Sequence, residues 1–153
     1  MISYGFVVLH YENYWDTIAC VNSILRIAHR DDYLVIVVDN ASPNNSLEIL
    51  RQEFAGQPKV RFALAESNLG YSGGNNVGIR QFRELGIAHV IIATNDTEVV
   101  STNLLEEFDR ANSNDVGLIG TDILTPEGGH QNPPFYKPTL LYSLNLYSYR
   151  PMA

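Results

Sequence analysis

Short apolar runs alternate with helical patterns along most of the chain. Strands are predicted at residues 4–9, 33–38, 60–64 and 89–93, with a fifth at residues 116–119. The second run, YLVIVV, is apolar at nearly every position, which is typical of a central strand covered on both faces. The alternation predicts an α/β domain with three layers, αβα, around a mostly parallel sheet.

Four helices are predicted between and after these runs. Apolar residues at spacings of three and four mark the first helix at Ile18, Val21, Leu25 and Ala28. Asn45 followed by Glu48 predicts a capping box at the start of the second helix, and Gly56 suits its end. The third and fourth helices are predicted at residues 75–85 and 103–110.

Polar residues follow each predicted strand, at the end where open α/β sheets bind ligands. The first strand is followed by His10 and Tyr11, and the second by Asp39. A carboxylate in the position of Asp39 has two interpretations: it accepts from a pyrimidine imide or ribose hydroxyls, or it only forms an Asx turn. The sequence alone leaves both open.

The connection after the third strand, SNLGYSGGNNVGI, is rich in glycine and asparagine. Its glycines permit positive φ and close approach, and its asparagines offer amide hydrogen bonds, so it suits a wall around a ligand. A plain strand-to-helix connector is the alternative. The spacing matches neither a Walker loop nor a GxGxxG fingerprint, which disfavours an ATPase or a dehydrogenase.

Asp96, in TNDTEV, follows the fourth strand among small residues that carry oxygen. A carboxylate there suits Mg²⁺ or Mn²⁺ when diphosphate oxygens and water complete the coordination shell. The alternative is that Asp96 only caps a turn.

Composition narrows the class of protein. The chain has 153 residues, a net charge of −7 and a single cysteine, Cys20, to which we assign no chemistry. Nucleic acid is therefore not an expected partner, and no disulfide within the chain is expected. The polar residues that follow residues 4–9 argue against a signal peptide, so a cytoplasmic location is expected. We place the core at residues 1–125 and a proline- and tyrosine-rich tail at residues 126–153.

Five segments, in order, resemble the amino-terminal half of family 2 glycosyltransferases of the GT-A fold. They are VVLHYEN, VVDNAS, NLGYSGGNNVGI, TNDTEV and DVGLIGTDI, and the resemblance covers residues 3–132. The subgroup they are most similar to is bacterial and rhamnosyltransferase-like, and it builds cell-surface polysaccharides from UDP- or dTDP-sugars. The resemblance implies inverting transfer from such a donor to a saccharide or lipid-linked acceptor, at the inner face of the membrane.

The resemblance also implies roles for individual residues. Those assigned to the nucleotide are His10, Tyr11, Asp39, Asn68, Gly70, Asn76 and Asn95. Asp96 would hold the divalent cation, Mg²⁺ or Mn²⁺. Thr94 stands where the family usually has an acid or amide, so Asp96 would coordinate the cation almost alone. The family's catalytic base belongs to a carboxyl-terminal half, and no residue of this chain is assigned to that role.

Three other interpretations remain at this point. One is a donor-binding domain that needs a missing partner half to turn over, with a carboxyl-terminal partner domain or a homo-oligomer as the expected assembly. Another is a sugar nucleotidyltransferase, although VLHYENYWD lacks the glycines and basic residue of that class. The third is an interaction module that docks through the tyrosines of its tail. Glu127 and His130 are expected to be solvated loop residues.

Overall fold

The computed structural model describes residues 3–27, 30–112, 117–125 and 127–130. It divides into two compact units, Met1–Arg110 and Ala111–Ala153. In the part of the second unit that is described, Leu124 and His130 form an isolated antiparallel bridge. Residues 131–153, which include most of the predicted tail, lie outside the described residues, and the boundary at residue 125 stays a prediction.

Strands and helices alternate in the first unit. Their order is β1 (Tyr4–His10), α1 (Tyr14–Leu25), β2 (Tyr33–Asp39), α2 (Ser46–Glu53), β3 (Val60–Leu64), α3 (Gly70–Glu84), β4 (His89–Thr94) and α4 (Leu104–Ala111). The first four strand predictions are confirmed to within a residue at each end. The fifth is wrong over residues 117–119, which form no strand, and Val116 lies outside the described residues.

The four strands form one parallel sheet in the order β3-β2-β1-β4. The chain moves outward from β1 to β3 and then returns to the other side of β1. Right-handed crossovers place the helices of the outward and return connections on opposite faces. Accordingly, α1 and α2 pack together on one face and α3 packs against β1 and β2 on the other, which confirms the three-layer prediction.

The core lies on both faces of the two central strands, β1 and β2. Every residue of β2 is buried, because helices cover it on both sides. The α3 face is filled by Val7, Leu34, Ile36, Val38, Ala63, Phe82 and Ile87. On the α1 face, the rings of Phe6 and Tyr33 meet edge to face at 5.8 Å.

The glycines of α3 allow this helix to approach the sheet closely. A Cβ at Gly78 would lie 2.8 Å from both methyl groups of Val7 and 3.1 Å from Val38, and one at Gly74 would collide with the Leu9 side chain. The helix begins at Gly70, where φ is +68°, and not near residue 75 as predicted. Close packing therefore overrides the low helix propensity that made this segment read as a loop.

Asparagine side chains accept backbone N–H groups at the starts of α1 and α2. Asn13 caps α1 by accepting the backbone N–H groups of Trp15 and Asp16. Asn45 stands at the N-cap position of α2, but its side chain makes no capping bond, so the capping-box prediction is wrong. The Asn44 side chain instead accepts the Ser46 N–H at 3.2 Å.

Charges at the amino-terminal edge of the sheet are paired with one another. Arg30 bonds both carboxylate oxygens of Asp32 and reaches Asp109 on α4 at 2.6 Å. The Arg30 guanidinium lowers the pKa of Asp32 to about 2. Burial, together with a hydrogen bond to Asp109, raises the pKa of Tyr4 to about 12. Within the described ranges, no helix is long and apolar enough to cross a bilayer.

Gly78→Ala tests the close packing of α3. The new Cβ must displace Val7 and Val38, whose branched side chains have little rotamer freedom, so the free energy of unfolding should fall by about 1–3 kcal/mol. Urea unfolding measures this change. Arg80→Ala, on the exposed face of the same helix, should stay within about 0.5 kcal/mol of wild type. Equal stability of Gly78→Ala and wild type would contradict the packing.

Candidate active site

Parallel register brings the predicted site residues to one edge of the sheet. His10 pairs with Asp39, Asp39 pairs with Leu64, and Leu9 pairs with Thr94. The segments that follow the four strands therefore begin at the same level. The strand order reverses beside β1, so the loops after β1 and β4 diverge there and leave room for a ligand.

Asp39 ends the most buried strand and is 5% exposed. Its carboxylate accepts the Ser42 N–H through long contacts of 3.3 and 3.4 Å, which is the turn that the second interpretation anticipated. Its Oδ1 lies 3.9 Å from His10 Nε2. A carboxylate can accept about four hydrogen bonds, so this turn leaves capacity for a ligand donor.

His10 lies beneath the site and does not face it. Its ring is fully buried, with Nδ1 2.7 Å from Thr17 Oγ1 and Nε2 2.8 Å from Ser46 Oγ. Burial lowers the pKa of the imidazole, against the opposing effect of Asp39. Both ring nitrogens are occupied by protein groups, so the exposed side chain in this segment is that of Tyr11.

The Asn40 side chain forms hydrogen bonds to the connection after β3. The residue is 4% exposed; its Nδ2 donates to Asn68 Oδ1 at 3.0 Å, and its Oδ1 accepts the Leu69 N–H at 3.0 Å. Asn68 Oδ1 also accepts the Gly70 N–H at 2.9 Å. These bonds hold the first turn of α3 against the end of β2.

The glycine- and asparagine-rich segment is mostly helix rather than loop. Asn68 and Gly70 are exposed at its start, and Asn76 is exposed in the second turn of α3. Asn75 is buried; its Nδ2 donates to the Tyr71 carbonyl, and its Oδ1 has no hydrogen-bond partner among the described residues. Most of this segment is helix, so the prediction of a loop up to residue 75 is wrong, whereas its role as a wall around a ligand stays a prediction.

Asn95 and Asp96 form the turn after β4. The Asn95 side-chain nitrogen lies 3.2 Å from Thr17 Oγ1 and 3.5 Å from the Asn13 carbonyl. Asp96 is exposed. In the described part of the chain, no three acidic, histidine or cysteine side chains cluster as a metal site. This donor set fits a cation that takes most of its ligands from a diphosphate and water.

Two residues near the edge adopt left-handed backbone conformations without being glycine. They are Glu12, at φ +63°, and Ala41, at φ +58°. The Glu12 N–H donates to Ser42 Oγ at 2.9 Å, and the Glu12 carbonyl accepts from the Asn44 side chain at 3.0 Å. The loops after β1 and β2 are thus locked together in a strained geometry of the kind found at functional sites.

Three further groups were assigned no role from the sequence: Cys20 is buried, whereas Glu127 and His130 are exposed. Burial raises the pKa of the Cys20 thiol to about 12, which favours the unreactive thiol form over the thiolate. In the second unit, His130 is exposed and pairs with Asp122 at 2.8 Å, and Glu127 is exposed too.

Sequence reasoning did not assign three residues that support the site. Asn40 follows Asp39 in a segment typical of a turn, although a buried amide can bond two segments at once. Thr17 and Ser46 carry no local signal, because a hydroxyl on a helix is common. Only the fold brings them to His10.

Residues 6–147 match the family model described as Glycosyl transferase family 2. The low-salt glycan biosynthesis hexosyltransferase Agl10 of Haloferax volcanii is 33% identical over 113 residues, which cover 72% of this chain and 35% of that protein.

Two solved structures are similar in fold. S. aureus TarS 1-349 superposes with a TM-score of 0.59 at 18% identity, over 71% of this chain and 32% of that one. Mannosyltransferase PcManGT from Pyrobaculum calidifontis, in complex with GDP-Man and Mn²⁺, gives 0.54 at 18% identity, over 67% and 30%. TarS 1-349 is also known in complex with UDP-GlcNAc and with UDP. These likenesses confirm the GT-A fold, and this chain spans about a third of each protein's length.

Asn40→Ala tests the attachment of the segment after β3. It removes the acceptor of the Leu69 N–H and the donor to Asn68, so the free energy of unfolding should fall by about 1–3 kcal/mol and the Leu69 amide should exchange faster. Urea unfolding and hydrogen exchange measure the two effects. Asn40→Asp keeps the acceptor and should be intermediate. Unchanged exchange at Leu69 would contradict this attachment.

His10 should make stability depend on pH. Its pKa is lowered in the folded state, so the unfolded chain takes up a proton first as the pH falls below about 6.5. Its contribution is complete above that pH and declines toward the folded pKa, by up to about 1.4 kcal/mol per pH unit. Urea unfolding at a neutral and a mildly acidic pH should show a steeper loss in wild type than in His10→Asn. Equal losses would contradict it.

Proposed function

Because this chain belongs to glycosyl transferase family 2, we propose that it forms the donor-binding part of an inverting glycosyltransferase that uses a UDP- or dTDP-sugar. One observation carries the proposal: buried Asp39 ends β2 and exposed Asp96 comes shortly after β4, and these two strands flank β1 at the same edge of the sheet. Tyr11 directly follows β1, the strand that lies between β2 and β4 in the sheet.

The nucleoside would lie at the Asp39 side of this edge. The carboxylate accepts hydrogen bonds only, which suits the imide N–H of a pyrimidine or the ribose hydroxyls. Tyr11 is 41% exposed and offers an aromatic face to a base. The complexes of TarS 1-349 with UDP and UDP-GlcNAc support a uridine nucleotide as the donor. PcManGT was solved with GDP-Man, so binding of a guanine nucleotide is tested as well.

The diphosphate would lie toward the Asp96 side. Among the described residues, neither Asp39 nor Asp96 forms an ion pair with arginine or lysine, so a diphosphate here meets uncompensated negative charge. A divalent cation, Mg²⁺ or Mn²⁺, held by Asp96 with Asn95 beside it, would supply positive charge to the departing diphosphate. PcManGT was solved with Mn²⁺, which supports this assignment.

In the reaction, an acceptor hydroxyl oxygen bonds to the anomeric carbon as the bond from that carbon to the diphosphate breaks. The hydroxyl proton passes to a base, and no described residue is assigned to this role. The chain's own contribution is to orient the nucleoside and diphosphate, since Asp39, Asn68 and Gly70 lie on segments held by hydrogen bonds.

The proposal extends to the acceptor and the cellular context. We expect a saccharide or lipid-linked acceptor in cell-surface polysaccharide synthesis, at the cytoplasmic face of the membrane, with a hexosyl or rhamnosyl group transferred. The glycan-biosynthesis hexosyltransferase of Haloferax volcanii supports a hexosyl group and a glycan product. A donor-binding module without turnover of its own is the second candidate, favoured because this chain spans about a third of the relatives it matches.

Calorimetry with UDP, dTDP and GDP, each with and without Mn²⁺, tests the donor site. Wild type should bind a pyrimidine diphosphate more tightly with the cation. Asp39→Asn should weaken binding at least about tenfold in either condition, which is about 1.4 kcal/mol. Asp96→Asn should remove only the gain that Mn²⁺ provides.

Glu53→Gln is the control, because Glu53 is an exposed carboxylate at the carboxyl end of α2. It should titrate like wild type. Wild-type curves from both Asp39→Asn and Asp96→Asn would refute the donor site, and tighter binding of GDP would refute the pyrimidine preference.

A further inference from the structure

We propose that His10 is a positioning residue that joins the nucleoside side of the site to the cation side through two buried hydroxyl groups. The inference rests on the proposed function in one respect, because the nucleoside side and the cation side are defined there. The connection itself is a property of the ligand-free protein. It runs from Ser46 on α2, through the His10 ring at the end of β1 and Thr17 on α1, to Asn95 after β4.

The contacts form an unbroken series across the sheet. Ser46 Oγ lies 2.8 Å from His10 Nε2, His10 Nδ1 lies 2.7 Å from Thr17 Oγ1, and Asn95 Nδ2 lies 3.2 Å from the same Thr17 oxygen. Asp39 is 3.9 Å from Nε2, beside this series. The side chains of the relay, which we define as Ser46, His10, Thr17 and Asn95, therefore touch the loops that carry both acidic residues.

One assignment of protons satisfies every member of the relay. Thr17 donates its hydroxyl proton to the Asn13 carbonyl at 3.1 Å, so its oxygen can only accept from His10 and from Asn95. Nδ1 of His10 then carries the proton. Nε2 accepts, and Ser46 donates to it. A neutral imidazole in this tautomer keeps both hydroxyl groups bonded without placing a charge in the buried site.

The relay fixes which way Asn95 faces. Its side-chain nitrogen is directed toward Thr17 and the Asn13 carbonyl, so its side-chain oxygen is left for other partners next to Asp96. Loss of the Thr17 hydroxyl would free the amide to rotate and present nitrogen, which cannot ligate a cation. The buried Thr17 hydroxyl, which is bonded to His10, thus determines which side-chain atom of Asn95 faces the cation side.

Because the relay is buried, the loss of one of its hydrogen bonds affects the neighbouring bonds as well. His10, Thr17 and Ser46 are each 0% exposed, so no water replaces a lost bond. A buried donor or acceptor left without a partner is costly, which makes the neighbouring groups move together. An ordinary core histidine would affect stability alone, whereas a positioning residue also affects how the two sides respond to each other.

The first experiment uses NMR of the ligand-free protein. Ser46→Ala removes the donor to Nε2 and should shift the Asn95 side-chain amide resonance, although Asn95 does not contact Ser46. Ser23→Ala is the matched control, since Ser23 is also a buried hydroxyl on a helix and accepts from Val99 in the segment after β4. An Asn95 resonance that moves no more in Ser46→Ala than in Ser23→Ala overturns the inference, whether or not nucleotides bind.

The second experiment measures the cation gain, defined as the ratio of UDP dissociation constants without and with Mn²⁺. Thr17→Val should lower this ratio at least about threefold, and His10→Leu should do the same. His10→Asn, which keeps a donor near the Nδ1 position, should restore part of it. Ser23→Ala should lose stability without changing the ratio.

The two experiments separate the inference from the proposed function. An unchanged cation gain in Thr17→Val overturns the inference. A wild-type protein that shows no cation gain overturns the proposed function, and the resonance of Asn95 in Ser46→Ala then decides the inference alone.

Discussion

The register of β1 between β2 and β4 is the constraint on which the rest of the structure depends. Pairing His10 with Asp39 and Leu9 with Thr94 brings chemistry from three separate segments to one level. In a strand, a slip of one residue would turn His10 toward α3 and Leu9 toward α1. The buried hydroxyls of Thr17 and Ser46 would then lose their hydrogen bonds to His10, so the polar contacts and the apolar pattern select the same register.

Among the described residues, acidic side chains pair with arginine at one edge of the sheet, whereas Asp39 and Asp96 at the other edge do not. At the amino-terminal edge, Arg30 pairs with both Asp32 and Asp109 and so links α4 to the segment before β2. At the carboxyl-terminal edge, Asp39 is held by long contacts from one backbone N–H, and Asp96 stays exposed. Unneutralised acids together with strained backbone at Glu12 and Ala41 reduce stability, which is a common feature of binding sites.

Much of the fold, and the edge of the sheet where the candidate residues come together, were predictable because they depend on local patterns. Continuous apolar runs identified β1 to β4, and the rule that ligands bind at strand ends directed attention to Asp39 and Asp96. The start of α3 was not predictable, because Gly70, Gly73 and Gly74 are poor helix formers, and the reason for a glycine at position 74 is visible only where α3 packs against Leu9. The burial of His10 was hidden for a related reason: its partners lie 7 and 36 residues away, on helices whose packing the pattern does not specify.

The central claim is that a nucleoside diphosphate and its cation bind together at the carboxyl-terminal edge of the sheet. Paramagnetic broadening of backbone amides by Mn²⁺, recorded with and without UDP, locates the cation most directly. The account predicts that UDP-dependent broadening centres on Asn95 and Asp96 and extends to Tyr11. Broadening centred instead on Asp31, Asp32 and Asp109 at the opposite edge, or broadening that UDP does not change, would contradict it.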